Sequence, residues 1–147
     1  MAKRRVFHIK LLFIYLIFST IILSSEFNLS ITPTKIELDL NNNSVKDIYL
    51  INNGDKTVKL LTYFETPEEF QNNSLESMLQ CFPKFIILKS KEEKLIKLVY
   101  NKIDILNKGE NYKSYIIFKE LPNDSKSLLD EETIILNEIG IGIIGKY

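Results

Sequence analysis

From residue 27 onward the apolar residues come in short runs rich in β-branched and aromatic side chains. Each run is closed by a cluster of Asn, Gly, Asp, Lys or Pro, and no stretch sustains a 3.6-residue period. Such a chain cannot build a helical core; it is all-β. Leu29, Ile31, Ile36, Leu38 and Leu40 alternate with polar residues through a first strand that Thr32-Pro33-Thr34 interrupts. Proline has no N–H to give to a sheet ladder, so Pro33 marks an edge or a bend. Asn41-Asn42-Asn43-Ser44 turns the chain, residues 45–51 form a second strand, and Asn52-Asn53-Gly54-Asp55 supplies an Asn-Gly turn before a third strand at 58–64.

Residues 65–80 are polar, contain helix formers and carry Pro67 near their start, which predicts a loop with a short helix. Strands follow at 82–88 and 95–100, joined by Lys89-Ser90-Lys91-Glu92-Glu93. Ile96, Leu98 and Tyr100 share the buried face, and Lys94 and Lys97 point to solvent. The run 109–122 reads as one strand from Tyr112 to Leu121, a polar loop continues to about residue 130, and a last strand covers 133–144. Seven strands at this spacing predict a β-sandwich.

The first 25 residues stand outside that pattern. Lys3, Arg4, Arg5 and Lys10 form a basic start, and residues 11–23 are an uncharged apolar run shorter than the roughly 20 residues a bilayer span needs. This is the organisation of a secretory signal, with cleavage near Ser24 or Ser25. Leu23 fits poorly three positions before the cut, so an uncleaved membrane anchor is the alternative. No cysteine follows the apolar run, which argues against a lipoprotein. Residues 26–147 then form one domain, long enough to bury roughly two-thirds of its unfolded surface and too short for two.

Without the signal, 15 lysines face 19 acidic residues, which argues against a nucleic-acid partner. Arg4, Arg5 and His8, the only arginines and the only histidine, all lie in the signal. Cys81 is alone, so it forms no intrachain disulfide and is expected to pack as a small apolar residue.

The chemistry-bearing patterns are few. Gly140-Ile141-Gly142-Ile143-Ile144-Gly145 matches G-x-G-x-x-G, but only Lys146 and Tyr147 follow, leaving no helix for a pyrophosphate and no later acidic residue for a ribose. A glycine-rich final strand is the better reading. The acidic groups Glu68-Glu69, Glu92-Glu93 and Asp130-Glu131-Glu132 lie in loops or strand margins, where charged residues are solvated. A serine nucleophile would have no histidine base, the histidine and cysteine clusters of transition-metal sites are missing, and no calcium-loop motif occurs. No enzyme activity, cofactor or metal is expected. Asn28, Asn42, Asn72 and Asn123 begin N-x-[ST] tripeptides, which chance explains in a chain this rich in Asn and Ser.

Several segments in order resemble the amino-terminal domain of the periplasmic pilus-assembly (PapD-like) chaperone family. Ile31-Thr32-Pro33-Thr34-Lys35-Ile36-Glu37-Leu38 is similar to the family's opening strand, and residues 45–55 to its second strand and Asn-Gly turn. Phe85-Ile86-Ile87-Leu88 with Lys94-Leu95-Ile96-Lys97-Leu98 resembles a strand pair around a tight turn. Residues 109–122 give the closest match, and Ile139-Gly140-Ile141-Gly142-Ile143 is similar to the segment that closes the first domain. The resemblance implies an immunoglobulin-like seven-stranded sandwich.

It also implies a function. The family's chaperones lend an edge strand to an incomplete client sheet, giving backbone hydrogen bonds and alternate apolar side chains. By that likeness the chain is an exported, periplasmic chaperone of pilus or fimbrial assembly. Its partner would be a pilin-like or other exported subunit, and it would touch a membrane only if the signal is retained. Ile134 and Leu136 share one face of the last strand and Ile135, Ile139, Ile141 and Ile143 the other; Ile134, Leu136 and Lys35 are the candidate client-binding residues.

Two departures bear on this. The family carries a second sandwich after the final strand, where this sequence ends at Tyr147. The family also holds the client's terminal carboxylate with an arginine on the first strand and a lysine near the end of the last. Lys35 falls near the first position, keeping the charge without the bidentate fork, and Gly142 near the second. A structural or adhesive immunoglobulin-like module is therefore the alternative function, and a truncated gene remnant a third reading.

Overall fold

The alternating runs become nine strand segments in two facing sheets. The structure is a computed structural model that describes residues 27–103, 106–107, 109–122 and 136–146. In chain order the segments are β1 (Leu29–Thr32), β2 (Lys35–Asp39), β3 (Ser44–Asn52), β4 (Val58–Glu65), β5 (Leu79–Phe82), β6 (Phe85–Leu88), β7 (Glu93–Tyr100), β8 (Tyr112–Leu121) and β9 (Glu138–Lys146). One sheet has the order β1-β3-β7-β5 and the other β2-β9-β8-β4-β6. All pairings are antiparallel except β2 with β9, which run parallel.

Nine segments are seven strands because two of them change sheets. β1 pairs with β3 in the first sheet, and after Pro33 the same strand pairs with β9 in the second. The run expected at 82–88 begins earlier, at Leu79, and crosses at Pro83: β5 pairs with β7, and β6 with β4. Both prolines stand where the ladder of one sheet has ended and that of the other has not begun, so no sheet loses a donor.

The expected inner faces are the observed ones. Ile36, Leu38 and Leu40 meet Ile48, Leu50, Ile96, Leu98 and Tyr100 in a dry core that Leu60, Ile86, Ile116 and Phe118 complete from the other sheet. Tyr100 and Phe118 are fully buried, and truncating either to alanine would cost about 3–5 kcal/mol. Cys81 packs there as a small apolar residue, and burial raises its thiol pKa. At the start of β8, the Tyr112 hydroxyl accepts the Asn107 N–H at 2.8 Å, the tyrosine-corner arrangement of immunoglobulin-like folds.

The helix-bearing loop after β4 contains two 3-10 turns, Glu68–Asn73 and Glu76–Met78. A buried hydroxyl chain ties it down: Thr66 Oγ1 contacts both Ser74 Oγ (2.7 Å) and Ser114 Oγ (2.9 Å), and Ser114 accepts the Leu75 N–H at 3.0 Å. Among the described residues no helix is long and apolar enough to cross a membrane. The expected signal segment, the loop expected after Pro122 and Ile134 lie outside the described residues.

Candidate functional site

β9 is covered differently along its two halves. β8 pairs with it throughout, from Tyr112↔Gly145 to Lys119↔Glu138. On its other side β2 reaches only from Lys35↔Gly142 to Asp39↔Lys146. The half from Glu138 to Ile141 therefore has one neighbour, and among the described residues no strand covers its second side.

Two hydrogen bonds fix which backbone groups face that side. Glu120 N–H donates to the Asn137 carbonyl at 2.8 Å, and Leu40 N–H donates to the Lys146 carbonyl at 2.8 Å. In a two-sided strand, alternate residues direct their N–H and C=O to opposite neighbours, so the odd-numbered residues of β9 bond to β8 and the even-numbered ones face the other way. At Glu138 and Gly140 those groups point to the open side. The side chains divide by the same parity: Ile141 and Ile143 are buried in the core, Ile139 is half-buried, and Glu138 and Lys146 point outward. Ile139, Ile141 and Ile143 thus share the inward face, with Ile141 and Ile143 in the domain's own core, while Ile144 is half-buried on the outward face. Leu136, just before the strand, is 38 % exposed.

The outward surface of this half is organised by neighbours on β8 and β4. Lys119 pairs with Glu138 at 2.5 Å across the ladder, an ion pair that raises the lysine's pKa. Burial, followed by Glu138, raises the pKa of Tyr63. Asn137 is fastened by its side chain to Glu120 at 2.6 Å. Gly140 and Gly142 leave the sheet without side chains, and the Tyr115 ring lies 3.9 and 3.8 Å from where their Cβ atoms would be, with Ile117 Cδ1 at 3.0 Å from the Gly140 position. Lys113 sits 5.2 Å from the Tyr115 ring centre and 5.4 Å from that of Phe70, in cation–π range. The G-x-G-x-x-G match is therefore a strand whose first two glycines are roofed by aromatic and aliphatic side chains.

Lys35 begins β2 directly opposite Gly142, so the two positions compared with the family's cationic pair are cross-strand partners. The first is engaged: Lys35 Nζ lies 2.9 Å from Glu37 Oε1. The second carries no charge, but Lys146, four residues further on, reaches Glu37 Oε2 at 2.6 Å. Held between two ammonium groups, Lys146 first and Lys35 second, the Glu37 carboxyl is lowered from 4.5 to about 2. Beyond it a shallow depression of about 440 Å³ is lined by Glu37, Leu38, Asp39, Asn41, Lys46 and Lys146. Sequence reasoning missed Lys146, because its proximity to Glu37 depends on a parallel pairing between the first and last strands. Of the expected site residues, Lys35 and Leu136 flank the open edge from either side, and Ile134 is outside the described residues.

No family model and no curated protein matches the sequence. Solved structures do match. The E. coli chaperone DraB superposes with a TM-score of 0.61 at 12 % identity, over 82 % of this chain and 55 % of that one. The SafB chaperone, solved with the SafA pilin of Salmonella enterica, gives 0.61 at 9 % identity, covering 84 % and 56 %. A PapD-like domain of human CEP192 gives 0.57 at 13 % identity, covering 86 % and 89 %. The chain spans about half the length of the chaperones it matches. It has the PapD-like immunoglobulin fold and corresponds to a single domain of those chaperones.

Proposed function

We propose that this protein is an exported, periplasmic chaperone-like protein of pilus or fimbrial assembly that holds a subunit by strand pairing at the open half of β9. The observation that carries this reading is the uncovered edge itself, where the N–H and C=O of Glu138 and Gly140 face away from β8 with no β2 opposite them. A client strand laid there would gain main-chain hydrogen bonds to both residues. Leu136 and Ile134, of the same parity in sequence, would offer the apolar side chains, and Lys35 lies at the far end of the edge. Similarity to chaperones solved with their subunits supports a protein partner. The sequence after the expected signal has no histidine, and the structural neighbours include chaperones and a PapD-like domain, which favours a binding protein over an enzyme.

The test is co-purification with exported proteins of the same cell, followed by substitution. Ile134→Asp with Leu136→Asp should abolish capture and leave the thermal midpoint unchanged. Capture that survives both changes removes these residues from the site, and the absence of any stable complex overturns the reading.

A structural or adhesive module is the second reading. It draws support from Lys35 being engaged by Glu37, from the missing cation at Gly142, and from the near-complete overlap with a PapD-like domain of human CEP192. Finding the exported protein's amino terminus, and whether it stays with the membrane, separates the two.

A further inference from the structure

A second unpaired edge lies on the opposite side of the five-stranded sheet. Among the described residues β6 is bonded to β4 alone, with Leu61 and Phe85 as direct cross-strand partners. Phe85, Ile87 and Leu61 are 49 %, 43 % and 38 % exposed, so they form one apolar patch on the solvent face. Phe82, 53 % exposed, ends the neighbouring edge strand β5. Within β6 there is no charge and no proline, the usual devices that keep an edge from pairing. One cation does stand near it: Lys94 Nζ donates to the Ile87 carbonyl at 2.7 Å.

The groups that face the edge can be matched by a second copy of the chain. Thr62 N–H donates to the Lys84 carbonyl at 2.8 Å, so the even-numbered residues here bond toward β4 and the N–H and C=O of Phe85 and Ile87 face away. A two-fold axis through Ile86 would set Phe85 opposite Ile87 of a second copy, and Ile87 opposite its Phe85. All four edge-facing N–H and C=O groups on each side would then be used, in two hydrogen-bonded pairs, with the Ile87 carbonyl given up or shared by Lys94. The same operation stacks Phe85 against Ile87 of the other copy on the solvent face, an aromatic–β-branched pairing that stabilises antiparallel ladders. Lys84 would stand opposite Leu88 and Lys89 opposite Pro83, so no like charges meet directly. A self-complementary edge of this kind fits an isologous dimer.

We propose that β6 is a self-association edge, pairing antiparallel with β6 of a second copy to join two five-stranded sheets into one. The contact is short, below the roughly 1,200 Å² typical of stable complexes, so the dimer is weak and reversible. It is independent of the client reading, because β6 and the open half of β9 lie at opposite sides of the sheet.

The experiment is sedimentation velocity on the protein as the cell processes it, over a concentration series. A concentration-dependent, reversible monomer–dimer equilibrium is expected. Ile87→Lys should weaken it at least about tenfold by placing a charge in the apolar pair, and Lys94→Met should tighten it by freeing the Ile87 carbonyl. Thermal midpoints at low concentration separate loss of association from loss of fold, and Phe85→Glu gives a second variant at an exposed position. A chain that stays monomeric across the series overturns the proposal, as does a dimer that both β6 variants leave intact. A monomer that binds phosphatidylglycerol vesicles or a different protein through Phe85 also overturns it and assigns the patch to that occupant.

Discussion

Glu37 links the first and last strands through charge. Its carboxyl is held near 2 by Lys146 and Lys35, below its ordinary value of 4.5. A depressed acid favours the folded state at pH above its unfolded value, and that contribution fades as pH falls from about 4.5 toward 2. Glu37→Gln should therefore lower the thermal midpoint modestly at neutral pH, where the ion pairs are intact, with the difference from the parent closing as pH falls through that window. Asn52 carries more weight. Fully buried at the end of β3, its side-chain amide donates to the carbonyls of Lys56 (2.7 Å), Leu88 (3.2 Å) and Lys89 (2.9 Å), and its oxygen accepts the Gly54 N–H at 3.0 Å. Asn52→Asp removes the donor and buries a charge among carbonyls, so a loss of about 3 kcal/mol is expected in denaturant melts. In sequence Asn52 reads as one more turn residue, since nothing local reveals that two hairpins converge on it. Gly142→Lys would restore a cation opposite Lys35. A Cβ there meets only the Tyr115 ring, at 3.8 Å, so the variant should fold with an unchanged midpoint and capture a client with a free carboxylate more tightly.

At the level of elements, alternation alone makes most strands legible in the sequence: β3, β4, β7 and β8 fall within about two residues of their expected bounds. What alternation does not carry is which sheet a strand joins. The change of sheet within the first and fourth strands depends on where partners run out, and Leu79 reads as part of a polar loop because Gln80 and Cys81 give no clear period. The half-open edge is illegible for the same reason, being a property of where β2 starts relative to β9. It has a direct signature. Amides bonded to β8, at Ile139 and Ile141, should exchange with deuterium at least about a hundredfold more slowly than those of Glu138 and Gly140, while Ile144, opposite β2, should be protected. Uniform protection along β9 would mean that the edge is covered.

For the molecule as a whole, the two sheets are joined by strands as well as by core packing, because the first and fourth strands each contribute to both. Exposed Phe82, Phe85, Ile87 and Leu61 lie on the β5–β6 side of the molecule, and the open half of β9 lies at the other side of its sheet, so the two proposed contacts would not compete. The single parallel pair has a mechanical consequence. Tension applied at Leu29 and Lys146 would drag β2 and β9 in opposite directions along their common axis. Every bond from Lys35 to Asp39 would then be loaded together, instead of one after another as in a peeling hairpin. Single-molecule pulling from these ends should give one sharp rupture, and Leu38→Pro, which interrupts the parallel ladder, should lower the rupture force.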